Sequence, residues 1–549
     1  GVLRDDSTLS HYTSGSALAV YRGDRLPGEL VNNVFVPEPA GNLVQRLVVE
    51  TEEDGSLEAH NPYEDLKADF LTSTDERFRP VNIYTAPDGT LYITDMYRGI
   101  IQHASFLTNY LETEIEKRGL ENPLGRGRIY RIVHKSQDPG KRPQLSTRTP
   151  EELVTVLEHP NGWWRDTAQR LIVEGQLDSV APELRQLARE SEMDYTRLQA
   201  LWTLNGLNKV DSETLKAALS DPSPHLRAAA IRIAEPAFTS SENTYQEAVM
   251  SLIDDSSRIV QRQLAASAGE LPPGKRDEAL TDIVNRYGDD PMVTSLVMSG
   301  LPGREFAFLE QLLEQSQQQQ GTAGAARALA KNILQSDADE QINTLLTWIS
   351  DQDKPAWQRT SLLAALEDEA PQPSAGGQSR LFELSRKPSG LLSAESGDSQ
   401  LAQRISKITE RLGWPGKPRT EPRPEPLSPE EKERFNIGKE LFSTTCASCH
   451  QQNGQGIEGM GASLADSPWV LGKPDHLIRI ILDGKDGEMF MPPHKHLSDD
   501  EIAAIATYLR QAWGHEEGPV TSSNVHEVRG ASTGRDRPWT EEELRNHQH

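Results

Sequence analysis

The two cysteines of this 549-residue chain lie in one short motif, "CASCH". Cys446 and Cys449 are three positions apart, and His450 follows the second cysteine directly. Two cysteines cannot form the disulfide framework of a small secreted domain, and a structural zinc site needs more ligands than this motif offers. A redox dithiol is expected within a βαβ unit, which the residues around Cys446 do not predict. The motif therefore indicates a group that both sulfurs bind together.

The Cys-x-x-Cys-His pattern is typical of the covalent attachment of a c-type haem. Two thiols add to the two vinyl groups of one porphyrin, and the adjacent histidine binds the iron from one face. A helix is predicted to begin upstream of the motif, with Ser428 as N-cap and Glu431 closing a capping box. We therefore predict one haem c, attached covalently to Cys446 and Cys449, with His450 as an iron ligand.

A second iron ligand is predicted from the stretch "GEMFMPPHKHLSDDEIAAIATYLRQAWG". A methionine opposite histidine raises the reduction potential into the range of electron carriers, although a single methionine can also simply fill a core. The two prolines after Met491 predict an extended segment that would hold its sulfur at the iron. Met491 is therefore the predicted ligand, and Met489, His494 and His496 remain alternatives.

Residues 428–513 resemble a class I cytochrome c domain in the segments "GKELFSTTCASCH", "MPP" and "LSDDEIAAIATYLRQAWG". The resemblance implies an all-α fold whose first and last helices cross where a glycine meets an aromatic residue, and Gly438 and Tyr508 stand at the matching positions. Members of that family use a proline carbonyl to accept the ring N–H of the haem histidine. Here the matching text is "GMGASLADSPW", so Ala462 or Ser463 must supply that carbonyl.

The C-terminal extension, residues 516–549, resembles the extension of cytochrome subunits that serve membrane-associated alcohol and sugar dehydrogenases. The resemblance rests on "GPVTSSNVHEVRGASTGRDRPWTEEEL". We expect this segment to pack around the haem domain. Its Trp539 is expected to be an anchor rather than a redox relay.

The N-terminal part, residues 1–137, predicts short β-strands separated by turns. The clearest signal is the Asp88-Gly89 pair between "VNIYTA" and "TLYITD", which predicts a tight hairpin. A propeller blade takes about 40 residues, so this stretch holds roughly three blades, whereas closed propellers use about four to eight. We therefore expect a partial β-propeller in an N-terminally truncated chain; an open sheet completed by a partner is the alternative.

The middle of the chain, residues 147–413, predicts paired helices. The segment 219–235 recurs loosely at 253–267, and periods in the low thirties with apolar spacings of three and four indicate a HEAT-like α-solenoid. The proline-rich stretch 414–427 predicts an extended linker before the haem domain. The predicted fold class is thus multidomain: a partial β-propeller, then an α-solenoid, then an all-α cytochrome c domain.

The order of these segments resembles that of the large haem-binding proteins of planctomycete-type bacteria. Their propeller is similar to soluble quinoprotein sugar and sorbosone dehydrogenases, which implies an alternative function: a quinone-dependent sugar or alcohol dehydrogenase with PQQ in the complete propeller and the haem as electron acceptor. The polar residues that could serve such a site are Arg79, Asn82, Asp95, Arg98 and His103. A plainer alternative is that Asp95 and Arg98 pair at a sheet edge.

Charge restricts the classes of partner. The formal net charge is −26, which disfavours binding to nucleic acid or to an anionic membrane surface. Residues 428–513 carry eight lysines and arginines against 13 aspartates and glutamates, net −5, so the expected redox partner has a basic docking patch. No apolar run reaches the roughly 20 residues of a membrane span.

Electron transfer is the leading hypothesis for function. A haem-based sensor is a further alternative, which would require an open coordination position on the iron. Because covalent haem attachment is completed outside the cytoplasmic membrane in the cytochrome c family, the resemblance implies a periplasmic or otherwise extracytoplasmic protein. An export signal is then expected upstream of Gly1.

Overall fold

The computed structural model describes residues 14–52, 55–101, 109–238, 245–315, 320–336, 338–370, 382–392, 399–417, 427–457, 460–465, 467–487, 489–515, 517–535 and 537–546. The chain forms two compact units. Of the described residues, one unit comprises those within 14–100 and 119–366, and the other comprises 101, 109–118 and those from 367 to 546.

The first unit begins with two antiparallel sheets. The five-stranded sheet has the order β1-β2-β3-β4, with β5 also paired to β3, and the three-stranded sheet has the order β6-β7-β8. The strands are β1 (Ala19–Val20), β2 (Val34–Glu38), β3 (Leu43–Thr51), β4 (Leu57–His60), β5 (Leu71–Thr72), β6 (Pro80–Thr85), β7 (Leu91–Asp95) and β8 (Arg128–Ile132). Neither sheet closes on itself within the described strands, so the propeller remains a prediction.

The predicted hairpin joins β6 to β7. Thr85 pairs with Leu91, and Gly89 takes a φ of 82° at the turn, a conformation that glycine adopts without strain. Alternate residues of β7 point into the core, where Leu91 and Ile93 are fully buried beside Phe35. The Asp88-Gly89 signal in the sequence therefore gave the correct local structure.

A long run of helices follows the sheets. These helices are α2 (Pro150–Val156), α3 (Gly162–Glu174), α4 (Ala181–Glu190), α5 (Asp194–Gly206), α6 (Ser212–Leu219), α7 (Pro224–Ala234), α8 (Gln246–Met250), α9 (Arg258–Ala268), α10 (Pro273–Tyr287), α11 (Pro291–Ser299), α12 (Glu305–Gln315), α13 (Gln320–Leu334), α14 (Asp339–Ser350) and α15 (Ala356–Glu369); α1 (Asn109–Arg118) belongs to the second unit. The long helical middle that the sequence predicted is confirmed.

An arginine–aspartate ladder connects alternate helices of this run. In each step an arginine near the start of one helix pairs with an aspartate just before the helix two further along, and the N–O distances are 2.7 to 2.9 Å. The three pairs are Arg197–Asp221, Arg227–Asp255 and Arg262–Asp290. The ladder therefore links α5, α7, α9 and α11 by one repeated contact.

The second unit contains the predicted cytochrome c region. Before it lie the short strands β9 (Phe382–Glu383) and β10 (Leu412–Gly413), which pair in parallel, and the helices α16 (Ser389–Leu392) and α17 (Ser399–Glu410). The region itself is helical, with α18 (Pro429–Thr445), α19 (Ala447–His450), α20 (Pro468–Leu471), α21 (Pro474–Asp483), α22 (Asp499–Gln511), α23 (Ser522–Ala531) and α24 (Glu541–Asn546). We call the described residues 517–535 and 537–546, which carry α23 and α24, the tail.

Helices α18 and α22 cross at Gly438. A Cβ at this position would lie 2.9 Å from the Cβ of Tyr508 and would also collide with the carbonyl oxygen of Ala504, so only glycine permits this approach. The Tyr508 ring packs 5.2 Å from the rings of both Phe435 and Phe442. Both helices begin with a capping box, α18 at the predicted Ser428 and α22 at Ser498. None of the helices that the structure describes has the length and apolar character of a membrane span.

Candidate functional site

A cavity of about 950 Å³ lies within the helical region of the second unit. Its walls come from the end of α18, from α19, from the loop at 460–464, from α21 and α22, and from the segment between Lys485 and Leu497. Apolar side chains such as Leu477, Ile481 and Ile505 form much of the wall. Its volume lies in the range that is usual for cofactor and ligand sites.

His450 is oriented by a hydrogen bond behind its ring. Its Nδ1 lies 2.7 Å from the carbonyl oxygen of Ala462. Because a carbonyl oxygen only accepts, Nδ1 carries the proton and Nε2 keeps its lone pair. Burial lowers the pKa of His450, although the bond to Ala462 acts in the opposite direction, so the ring is neutral near pH 7. Of the two acceptors that the sequence left open, the structure selects Ala462, while the Ser463 hydroxyl donates to Gly454.

The two cysteines stand on one helical turn at the cavity wall. Cys446 ends α18, where its N–H donates to the Phe442 carbonyl, and its own carbonyl accepts the N–H of His450. Neither cysteine forms a disulfide. Burial, followed by the neighbouring Cys449, raises the pKa of Cys446 to about 12, so this thiol is protonated and uncharged at neutral pH.

The segment after α21 brings its methionines to the same cavity. The lining includes Met489, Met491 and His494, whereas His496 is exposed and is not among the described lining residues. Met491 is fixed by a pair of main-chain hydrogen bonds with Lys485, of 2.9 and 3.0 Å. The predicted ligand Met491 therefore lines the cavity, together with two of its three alternatives, Met489 and His494.

Two of the polar residues that the sequence singled out near the N terminus, Arg79 and Asp95, bond to the backbone. The buried Asp95 accepts the backbone N–H groups of Arg79 and Tyr97 through one carboxylate oxygen, rather than a bond from Arg98. The guanidinium of Arg79 donates to four backbone carbonyls, those of Pro39, Ala40, Arg98 and Gly99.

Asn82, another residue of that set, bonds to its own near neighbours in the sequence. Asn82 donates to the hydroxyl of Tyr84 and accepts the N–H of Ile83, contacts within or beside its own strand. His103 lies outside the described residues.

Comparison with known proteins matches two parts of the chain. A domain of unknown function, DUF7133, matches residues 3–136, and the family described as cytochrome C oxidase, cbb3-type, subunit III matches residues 433–509. Cytochrome c-552 of Thermus thermophilus is 33% identical over 102 residues, which cover 15% of this chain and 78% of the relative. The chain belongs to the cytochrome c family.

Other relatives of this cytochrome c are named as subunits of dehydrogenases. The alcohol dehydrogenase (quinone) cytochrome c subunit of Gluconobacter oxydans is 31% identical over 105 residues, and the fructose dehydrogenase cytochrome subunit of Gluconobacter japonicus is 34% identical over 106 residues. Each match covers 17% of this chain and 22% of the relative. The chain thus spans about a fifth of the length of these dehydrogenase subunits.

The cavity fits the haem c that a cytochrome c domain implies. The neutral imidazole presents a nitrogen lone pair, the Cys446 thiol is uncharged in apolar surroundings, and a thioether lies within the same enclosure. The cysteine motif in the sequence pointed to this site. The sequence analysis missed Lys485 and Glu541, which also line the cavity and come together only through the packing of the tail.

Proposed function

We propose that this chain transfers single electrons through one c-type haem, which Cys446 and Cys449 would hold covalently and whose iron His450 and Met491 would bind. The observation that carries the proposal is that one cavity holds all four side chains, although the methionine lies far along the chain from the cysteine motif. When bound, the haem supplies one-electron oxidation and reduction.

The residues of the chain hold and tune this site. Ala462 fixes the His450 ring with Nε2 available to a metal, and Lys485 holds the main chain of Met491. Apolar side chains form much of the cavity wall, and a thioether together with an imidazole on the iron would favour a high reduction potential. The histidine and methionine together would leave no open position on the iron, which argues against the sensor hypothesis.

A haem-stained denaturing gel and the mass of the intact protein test the attachment. After expression in a host that matures c-type cytochromes, the wild-type protein is expected to keep one haem under denaturing conditions. Cys446→Ser and Cys449→Ser should each lose one thioether link, and the double variant should lose all covalent pigment. His496→Gln serves as a control and should retain the wild-type spectrum. Full covalent attachment in the double variant would contradict the proposal.

We also propose the finer organisation that the sequence predicts. The helical middle is a HEAT-like solenoid, which the repeated arginine–aspartate ladder supports, and the sheets belong to a propeller-type domain. The proposed domains are the partial propeller at 1–137, the solenoid at 147–413, the linker at 414–427, the cytochrome c domain at 428–515 and the C-terminal extension at 516–549. The protein acts outside the cytoplasmic membrane and meets a redox partner with a basic patch, in keeping with the acidic haem domain.

The second candidate function is a quinone-dependent sugar or alcohol dehydrogenase that uses PQQ and passes electrons to the haem. The similarity to cytochrome subunits of quinone alcohol dehydrogenase and fructose dehydrogenase favours it. Against it, the guanidinium of Arg79 and one carboxylate oxygen of Asp95 are already bonded to backbone groups. The test is whether protein supplied with PQQ and an aldose or alcohol bleaches a quinone-type dye. Bleaching would support the dehydrogenase function, and no bleaching by the intact protein would exclude it.

A further inference from the structure

The tail forms an isolated β-bridge with the loop that carries Met491, where Trp539 pairs parallel with Lys485. The N–H of Trp539 donates to the carbonyl of Gly484 at 3.0 Å, and the N–H of Asp486 donates to the carbonyl of Trp539 at 2.8 Å. On its other side, Lys485 forms a second, antiparallel bridge with Met491. Lys485 therefore lies between Trp539 and Met491, and the tail covers the edge that the methionine segment does not use.

The side chain of Trp539 stabilises the pairing of the tail with Lys485. It is 8% exposed, and its indole Nε1–H donates to a carboxylate oxygen of Asp483 at 2.9 Å. The other oxygen of Asp483 pairs with Lys495 at 3.3 Å. The guanidinium carbon of Arg535 lies 3.6 Å from the centroid of the indole ring, and Met491 packs against the cluster to which Trp539 belongs.

A second contact from the tail holds the other end of the same loop. Arg529 on α23 donates to the carbonyls of Lys495 and Leu497 at 2.9 and 2.5 Å. The same guanidinium pairs with Asp499, in the first turn of α22, at 2.6 Å. The loop between Lys485 and Leu497 is thus tied to the tail at both ends.

We infer that the tail positions the iron-ligand loop and that Trp539 is a positioning residue for the sulfur of Met491. The inference rests on the proposed function, because it assigns Met491 to the iron. A loop held at both ends by main-chain and charged hydrogen bonds opens rarely, and loss of one buried hydrogen bond increases the population of the open form. The tail thereby sets how often the sulfur leaves the metal.

The rate of carbon monoxide binding to the reduced protein tests this role. Carbon monoxide reaches the iron only when the thioether has left, so its binding rate reports the release of Met491. Trp539→Phe keeps an aromatic ring but removes the donor, and it should bind the gas about tenfold faster than the wild type. Asp483→Ala should have a similar effect, and the two changes together should add little to either one.

Two further variants separate this hydrogen bond from a general loss of stability. Asp483→Asn keeps an oxygen that accepts from the indole but loses the charge that pairs with Lys495, so its carbon monoxide binding rate should lie between those of the wild type and Asp483→Ala. Glu542→Gln removes an exposed acid from the same tail and should change nothing. Wild-type rates in both Trp539→Phe and Asp483→Ala would overturn the inference, as would an equal increase in Glu542→Gln.

Amide hydrogen exchange provides a readout that does not depend on the iron. The N–H groups of Met491 and Asp486 should exchange faster in Trp539→Phe than in the wild type, and unchanged protection of both would also overturn the inference. If wild-type protein binds carbon monoxide as fast as Met491→Ala, the ligand assignment in the proposed function fails. In that case the exchange data still decide whether the tail holds the loop.

Discussion

At His450, one hydrogen bond decides which ring nitrogen faces the cavity. The sequence predicted that a carbonyl near residue 462 would accept from the ring, but it could not choose between Ala462 and Ser463. That choice depends on the folded main chain before Ala462, where Ile457 pairs with Gly461, and in this fold the Ala462 carbonyl lies against the ring. The local motif thus singles out the histidine that we propose as an iron ligand, whereas the position of its acceptor depends on long-range folding.

Gly438 permits the close crossing of α18 and α22, and its replacement tests that crossing. Gly438→Ala should lower the free energy of unfolding by about 1–3 kcal/mol, because the new Cβ meets the backbone of Ala504 and the Cβ of Tyr508. Thermal unfolding followed by circular dichroism measures the change. The matched control is Gly530→Ala in α23, where nothing lies within 4 Å of the new Cβ. There a gain of about 0.5–1 kcal/mol is expected, and an equal loss at both sites would contradict the explanation.

At the scale of elements, the arginine–aspartate ladder was the main feature that the sequence did not predict. The two helical segments recognised as similar, 219–235 and 253–267, contain Arg227 and Asp255, but nothing in their spacing indicated that these residues pair across the repeat. Helix starts and the hairpin turn depend on residues close in sequence and were correct. Contacts between repeats depend on how successive helices stack. The apolar periodicity of the sequence predicts the helices but not this stacking.

Arg227→Ala should destabilise the first unit by about 3 kcal/mol, because it leaves a nearly buried carboxylate without its charged partner. The side chains of Arg227 and Asp255 are 15% and 6% exposed. Urea unfolding at pH 7 measures the change. Arg232→Ala, in the same helix, removes an arginine that is 60% exposed and should cost less than about 1 kcal/mol. If Arg227→Ala and Arg232→Ala lowered the free energy of unfolding equally, burial would not explain the contribution of the Arg227–Asp255 pair.

The effect of Arg227→Ala should depend on pH. Burial alone would raise the pKa of Asp255, but hydrogen bonds from Arg227 and from the N–H of Ser257 outweigh burial and lower it below its ordinary value of 3.8. A carboxyl with a lowered pKa stabilises the fold above its ordinary pKa, and this stabilisation is lost as the pH falls. The difference in unfolding free energy between wild type and Arg227→Ala should therefore shrink below about pH 4. If the difference stayed constant from pH 7 to pH 3, Arg227 would not be the cause of a lowered Asp255 pKa.

At the scale of the whole molecule, composition predicted the sign of the charge, and local patterns predicted the order of sheets, helices and haem domain. The sequence did not predict the tail's register, in which Trp539 pairs beside Lys485, because that contact joins segments far apart in the chain. It also could not separate Met491 from Met489, since both side chains reach the cavity. Long-range pairing is fixed by packing that no short motif encodes.

The net charge of −26 predicts a salt-dependent electron transfer. The second-order rate constant with a basic redox protein should fall as ionic strength rises from about 0.01 to 0.15 M, because screening weakens the attraction. With an anionic reagent such as ferricyanide, the rate constant should rise over the same range. Stopped-flow absorbance at the haem band measures both. If salt changed both rates in the same direction, the electrostatic explanation would be wrong.

The pairing of Trp539 beside the Lys485–Met491 bridge also imposes an order on biosynthesis. Cys446, Cys449 and His450 come first along the chain, then Met491, and only later the tryptophan that pairs with Lys485. In a polypeptide that is exported from its N terminus, both thiols would emerge before the Met491 loop has acquired its last neighbour. Enzymes that attach haem outside the cytoplasmic membrane would then meet accessible thiols, and Met491, the proposed second ligand, would be held in place only after the tail had followed.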